Sequence, residues 1–582
     1  MTAAPDTLQA VTVVADRGVV VSRRDTVSVD PMQGAGEALL QFPGIYVGDY
    51  GGFSGLKSAS LRGFGSAHTA LYVDGVRVGN VQSGQADLGM LGLPSMGSIV
   101  ADYAQNSLSF KTLKPVFRGR PVAGTIRNQL GSFGTWQPFA RLDFRLGERT
   151  SLSVHGAGLM TKGAFPLEDG TLWDHNDMRQ LQAGIDLFGR LSGGEYHAKL
   201  FYNNADRGTP GSLSWPSEDR QLDKNYLAQG VLRKAFGSYY TLNLSAKAAY
   251  DDLSYQGGWG QSLYKQTEFQ LNSAHKFRVL PWWTVSLAAD AAWDGLRSDL
   301  YNESRLSGVA ALASAIRLAR LQIDLALEYA GVWDKGGASW NSLSPSAGLR
   351  FTLLEGVDLV AFGRRAYRTP TFNELYYPGY GNPQLKPEDA YLADVGVDIT
   401  RKWGGWTWKG RVDGFYNYLT NKIVSGPSED PAVWLPYNIG KVQALGADLL
   451  SGFEYAAGPW KAGFQLRYGW QQALDKTPDS YSYGEQIPYV ARRSAGVQAQ
   501  ASWKGWGLEA AYQQRMGRQD ASGEMPDWNT LDLGLGKDFH LGKAGVLGLR
   551  VKARNLTDCR YELIRDYPMP GRSFVGGISY SF

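Results

Sequence analysis

Histidines, acidic clusters and one cysteine are the residues of this chain that could do metal or nucleophilic chemistry. None has a spacing that commits to it. The six histidines, His68, His155, His175, His197, His275 and His540, contain no pair at a recognisable ligand spacing. Glu168, Asp169, Asp174 and Asp177 form one acidic group, and Glu218, Asp219 and Asp223 a second. Hard cations want several carboxylates close together, so the first group is the candidate calcium site, although neither has EF-hand spacing. Cys559 stands alone, which excludes an internal disulfide, and it reads as an inert residue near the last turn. No Ser-His-Asp order, zinc-protease signature, phosphate loop or dinucleotide fingerprint stands in a supporting context. No enzyme and no resident cofactor are expected. What remains is binding chemistry. The stretches Tyr46-Val47-Gly48-Asp49-Tyr50-Gly51-Gly52-Phe53 and Asn80-Val81-Gln82-Ser83-Gly84-Gln85-Ala86-Asp87-Leu88 combine aromatic rings, amides and hydroxyls on glycine-hinged backbone. Such surfaces suit a large, polar, amide-bearing ligand better than a compact charged one.

The elements that must hold these loops show themselves by alternation. Tyr240, Leu242, Leu244, Ala246, Ala248 and Tyr250 are apolar, between mostly polar neighbours. The same period of two runs through Trp406–Tyr418, Trp460–Trp470 and Leu547–Ala553. Each run is about ten residues, the length a tilted strand needs to cross a bilayer, and aromatics gather at the run ends as at lipid–water interfaces. Of 582 residues 72 are Gly, aromatics are 12% and charged residues only 20%. That composition excludes disorder, and the chain has no run of ~18 apolar residues for a membrane helix. A net charge of +4 without a basic block gives no argument for nucleic acid. The expected fold is an all-β transmembrane barrel facing lipid. Residues 131–582, at roughly 20 residues per strand with its share of turn and loop, hold about 22 strands. A barrel of that width needs filling.

The filling is expected from the N-terminal part. Residues 17–130 read as a small α/β plug: short mixed segments, a short helix over 34–44 ended by Pro43-Gly44, and an Asp74-Gly75 hairpin turn after Ala70-Leu71-Tyr72-Val73. Arg62, beside Gly63, is expected to be a buried guanidinium paired with carboxylates of the plug or barrel wall. Residues 1–16 read as a flexible segment. They lack a charged and then apolar leader, so the chain reads as a mature form whose secretory signal is already gone.

Four stretches in this order resemble the TonB-dependent outer-membrane receptors, over essentially the whole chain. Asp6, Thr7, Leu8, Gln9, Ala10, Val11 and Thr12 are similar to the family's TonB box. Phe42-Pro43-Gly44-Ile45, Ser60-Leu61-Arg62-Gly63 and Val73-Asp74-Gly75-Val76 resemble its plug series. Asn382-Pro383-Gln384-Leu385-Lys386-Pro387-Glu388 matches its NPxLKPE signature, and Asn555-Leu556-Thr557-Asp558 leads to a last strand ending in Phe582. The resemblance implies energised uptake across the bacterial outer membrane, with TonB and its ExbB–ExbD complex as partners and the lipid bilayer as surroundings. A surface lipoprotein stays open as a further partner.

Ser83-Gly84-Gln85-Ala86-Asp87-Leu88 resembles the SGxADL stretch of cobalamin receptors, in which the two plug loops contact the corrinoid. Asp49, Tyr50, Gln82, Ser83 and Gln85 are therefore the carried-over ligand candidates, and cobalamin is the leading ligand. Some cobalamin receptors order their loops with calcium, which bears on Glu168, Asp169, Asp174 and Asp177. A ferric siderophore or haem in the same fold is the alternative, and a passive porin or adhesin the rival from another class. The chain departs from the family pattern over Asp102–Pro115, where the glycine-rich plug motif is missing, so a rebuilt plug floor is expected there.

Overall fold

The structure, a computed structural model, describes residues 23–258, 260–427 and 434–582. Residues 17–22 of the expected plug and the whole of the expected TonB box, Asp6 to Thr12, lie outside them. The described residues form a closed barrel of 22 antiparallel strands around an N-terminal plug. No described helix is long and apolar enough to cross a membrane.

Alternation explains the wall. In the strand Trp460–Asp475, Trp460 and Phe464 are exposed to the outside while Arg467 and Gln471 are buried against the plug. Outward aromatics form two belts about ten residues apart along a strand, for example Tyr226 and Phe236, or Tyr416 and Trp406. At ~3.3 Å per residue and a tilt near 40°, ten residues rise ~25 Å, the height of a barrel's apolar band. Rings within a belt touch across strands: Trp460 and Trp503 stack at 5.3 Å, and Tyr202 and Tyr226 lie 5.0 Å apart. One end has two-residue turns at 192–193, 404–405, 458–459 and 504–505. The other carries the long connections 162–177, 369–387 and 555–572. By the usual asymmetry the first end is periplasmic and the second extracellular.

Two expectations about the wall are corrected. The strands run from 9 residues (Val546–Arg554) to 24 (Trp434–Ala457), not about ten throughout. The excess rises past the outer aromatic belt, where both faces meet water and the alternation fades. The barrel also begins earlier than residue 131. Val122–Gly131 is its first strand, and it closes the barrel by pairing antiparallel with Ser573–Ser581.

Inside, strands β1 (Arg24–Ser28), β4 (Ala70–Val73), β5 (Val76–Val78), β6 (Met96–Asp102) and β7 (Ser107–Thr112) make a sheet of order β1-β6-β7-β4-β5. A hairpin of β2 (Ile45–Asp49) and β3 (Lys57–Leu61) packs beside it. The expected helix shrinks to one turn, α1 (Ala35–Leu39). Asp74 and Gly75 turn the β4–β5 hairpin with φ of 52° and 91°, as their types predicted. Residues 102–115, where the glycine motif is missing, hold the turn out of β6 and strand β7, which pairs antiparallel with β6, with a register shift at Met96/Ser98, and parallel with β4. Phe42, Leu61, Ile99, Leu108 and Phe110 fill the plug core.

Plug and wall meet largely through charge, although Phe64 packs on an apolar patch of the wall that includes Phe362, Leu392 and Ala444. Arg62 donates to Asp394 (2.7 Å) and Asp448 (3.0 Å) and lies over the rings of Tyr103 and Phe415. Arg411 grips Asp25 with two bonds of 2.6 and 2.7 Å, and Arg23 reaches Asp398 (2.7 Å) and Asp413. The structural role expected of Arg62 is the one it has.

Candidate functional site

The two plug loops are set at the extracellular end by different devices. Asn80 folds the second loop: its side-chain oxygen accepts from the Ser83 N–H (2.9 Å), and its carbonyl accepts from Gly84 (2.7 Å). The barrel then holds that loop from above. Thr371 and Glu374 close a capping box at the start of a one-turn helix, Phe372–Tyr376. The N–H groups of Phe372 and Asn373 donate to the carbonyls of Val81 (3.2 Å) and Gln82 (3.0 Å). Gly84 has φ +73°, and a Cβ there would lie 2.6 Å from the Thr371 methyl, so glycine is needed for both conformation and space. Asp87 ends the loop, accepting from Gly89 N–H (2.9 Å) and Arg207 (2.8 Å).

Tyr50, Gln82, Ser83 and Gln85 all line one cavity of about 1090 Å3 that opens between the long loops. Asp49 does not. It is buried at the end of β2, where its carboxylate accepts from the Gly52 N–H (2.8 Å) and Lys57 Nζ lies 3.7 Å away. Burial pushes its carboxyl up to about 6, against the pull of Lys57. Asp49 is thus a buried hairpin residue and not part of that surface. The sequence pattern could not separate the two, because Asp49 and Tyr50 are neighbours pointing opposite ways on a strand end.

Sequence reasoning missed much of the rest of the lining. The wall and its loops contribute Tyr255, Tyr264, Asn373, Tyr377, Tyr380, Tyr567 and Trp215, the last 82% exposed on a hairpin tip. Tyr50 packs edge-on to Tyr567 at 5.0 Å, and burial raises both phenols, so both offer neutral hydroxyls. The one sequence signal was the Thr371–Glu374 spacing, which marks a helix start. Five carboxylates line the cavity (Asp87, Asp219, Asp223, Asp251, Glu268) against two bases, Arg207 and Lys247. Both bases are already engaged, Arg207 with Asp87 and Asp223, Lys247 with Glu268. The lining is therefore acidic, aromatic and amide-bearing, and among the described residues no histidine belongs to it.

The acidic group proposed for calcium does not converge. Glu168 and Asp169 are exposed, Asp169 capping Thr171, and Asp177 pairs with Arg220 (3.1 Å). Among the described residues no group of three or more His, Cys, Asp or Glu is placed to hold a metal ion. In the NPxLKPE stretch, Asn382 donates to the Pro436 carbonyl, and Glu388 is buried between Arg368 and His68. That makes it a loop anchor.

Comparison with known proteins agrees with this geometry. Residues 118–556 match the family model "TonB dependent receptor-like, beta-barrel", and residues 6–108 match "TonB-dependent Receptor Plug Domain". The chain is 22% identical over 590 residues to the vitamin B12 transporter BtuB of Vibrio vulnificus (strain YJ016), covering 94% of this chain and 89% of that one. Among solved structures it resembles the FrpB iron transporter from Neisseria meningitidis (F3-3 variant; TM-score 0.77, 14% identity, 97% of this chain and 100% of that one). It also resembles the copper transporter OprC (TM-score 0.76, 14% identity, 97% and 99%). At such identities these two likenesses show the fold alone. The chain belongs to the TonB-dependent receptors: it is an outer-membrane transporter that works with TonB and takes a small-molecule ligand.

Proposed function

We propose that this TonB-dependent receptor imports a corrinoid, cobalamin or a close relative. The observation that carries the reading is the outer cavity: large, lined by tyrosines, amides and hydroxyls, acidic in balance and without a free base. A corrinoid presents many amides and little negative charge, so it meets hydroxyl and carboxylate partners. Anionic ferric siderophores and haem propionates would face uncompensated carboxylates there. The relative named as a vitamin B12 transporter supports the same ligand from sequence. Tyr50, Gln82, Ser83 and Gln85 are the proposed plug contacts. Asp6 to Thr12 are the proposed TonB box, adding a strand to the partner through backbone bonds, with ExbB–ExbD supplying the energy.

Titrating the detergent-purified protein with cyanocobalamin, a panel of ferric siderophores and haemin tests the ligand. Saturable, submicromolar cyanocobalamin binding that quenches tryptophan fluorescence through Trp215 is expected. Binding of a ferric siderophore in its place overturns the corrinoid reading.

A further inference from the structure

Plug and barrel are sealed unequally around the bore. On one side the contact is dense. Arg62, Asp394 and Asp448 are all buried, and Phe64 packs with Ala444, Ala473 and Ile487 of the wall and its loops. On the other side three cavities follow one another from outside to inside. The outer one is the ligand cavity. A middle one of about 240 Å3 lies between the wall and the plug segments Gln33–Glu37 and Leu88–Leu91. An inner one of about 710 Å3 opens toward the periplasmic turns, bounded by Asp30–Met32 and by the small residues Gly534, Gly536, Gly577 and Ser579.

The partitions between them are thin. Arg207, Met90, Leu91 and Gly55 line both the outer and the middle cavity. Arg207 forms that partition by bonding across it to Ser54 O (3.0 Å) and Asp87 (2.8 Å). Between middle and inner cavities, Lys552 reaches Asp30 (2.6 Å) and Glu509 (3.0 Å), and Arg554 reaches Glu37 (3.3 Å). Met32 seals the rest. Its methyl lies 2.8 Å from where a Cβ on Gly577 would stand. The middle and inner cavities also share a wall register, since Gln137 of one pairs with Gln129 of the other.

We propose that the ligand crosses the barrel on this side, through the three cavities in turn, with Arg207 as the outer gate and the Asp30–Met32/Lys552 contact as the inner gate. The proposal rests on the transport function of the family, not on the corrinoid reading. Packing and exposure favour this side. At the inner gate Asp30, Glu37 and Glu509 have side chains 25%, 40% and 47% exposed, so water takes over these carboxylates when Lys552, itself 4% exposed, parts from Asp30 and Glu509. The outer gate, Arg207 with Asp87 and Asp223, is about as buried as Arg62 with Asp394 and Asp448, so its opening is the costly step of the route. The inner gate also lies next to the pulled end: one strand, β1, separates Arg23 from Val29 and Asp30. A pull on the N-terminus reaches that segment once β1 has parted from β6, and Arg23 and Asp25 from Asp398, Asp413 and Arg411 of the wall.

Planar-bilayer conductance tests the route without a ligand. Arg207→Ala alone, and Met32→Ala with Lys552→Ala, should stay as silent as the parent. The triple variant should give a steady current, while Phe64→Ala with Ile487→Ala on the far side should not. A silent triple variant, or an equal current from the far-side pair, overturns the route. A second reading uses Ser579→Cys in a Cys559→Ser background, with a bulky maleimide added from the periplasmic side. The triple variant's current should fall at least tenfold, and an unchanged current overturns the proposal. If the triple variant does not fold, as judged by heat-shifted migration in gels, the labelled Ser579→Cys single variant decides. Cyanocobalamin uptake should fall at least tenfold with binding intact, and undiminished uptake counts against the route. A parent that binds no cyanocobalamin sinks the ligand reading alone. The same single-variant uptake measurement then uses whichever compound the titration shows to bind.

Discussion

At the scale of single residues, two buried charges in the plug behave in opposite ways. Arg62 is surrounded by acceptors and rings, and its burial is compensated. Asp49 has one backbone donor and a lysine at 3.7 Å, and burial outweighs them. Its folded-state pKa of about 6 is above the ordinary carboxylate value, so its contribution to stability is full in acid, below about pH 4. That contribution is lost as pH rises through 6. Amide exchange at Gly52 and Phe53 should therefore slow as pH is lowered from 7 to 5, once the intrinsic pH dependence of exchange is removed. In Asp49→Asn that residual slope should vanish. A slope that survives the substitution would place the titrating group elsewhere. Arg62 was readable in sequence because an arginine between a strand end and a glycine, in a plug that must sit in a polar lumen, needs carboxylates. Asp49 was not, because nothing in the order of residues shows which face of a strand end looks at the ligand.

At the scale of elements, the second plug loop and the barrel helix over it form one unit. The helix N-terminus supplies two N–H donors to the loop's carbonyls, and Gly84 lets the two backbones approach. Gly84→Ala adds a methyl 2.6 Å from the Thr371 methyl at a φ that costs an L-residue about 1–2 kcal/mol. Ligand affinity should fall roughly tenfold, since every 1.4 kcal/mol is tenfold, while barrel melting is unchanged. Gly147→Ala, away from the cavity lining and where a Cβ meets nothing within 4 Å, should bind as the parent does. Equal losses in both would mean that the loop is not preset by the helix. The same scale shows why the fold was largely legible and its borders were not. Period-two alternation records lipid against lumen, so it is clear wherever a strand is embedded. In Val122–Gly131 only Ile126 and Leu130 are large on the lipid face. Gly124 there leaves its space to the ring of Phe582, whose Cζ is 2.6 Å from where a Cβ would be. Asn128 is tied up by Trp136. The first strand borrows its lipid-facing bulk from the last residue of the chain, and no local pattern can show that.

At the scale of the whole molecule, the proposed binding and coupling sites are separable along the chain. The proposed ligand surface is built by loops held to the outer rim, and the proposed TonB box precedes Arg23 in the sequence. A strand added to TonB depends on backbone N–H groups, so the side chains of Asp6 to Thr12 matter less than an unbroken donor row. Leu8→Pro removes one donor and fixes φ near −65°. Uptake should therefore drop to the level of a strain lacking TonB, while ligand binding at the rim, the silent conductance and the melting of the barrel all stay at parent values. Leu8→Ala, which keeps the donor, should retain most uptake. Should both variants lose uptake equally, coupling runs through the leucine side chain and not through backbone pairing. Should Leu8→Pro transport normally, the energy enters the plug somewhere other than residues 6–12.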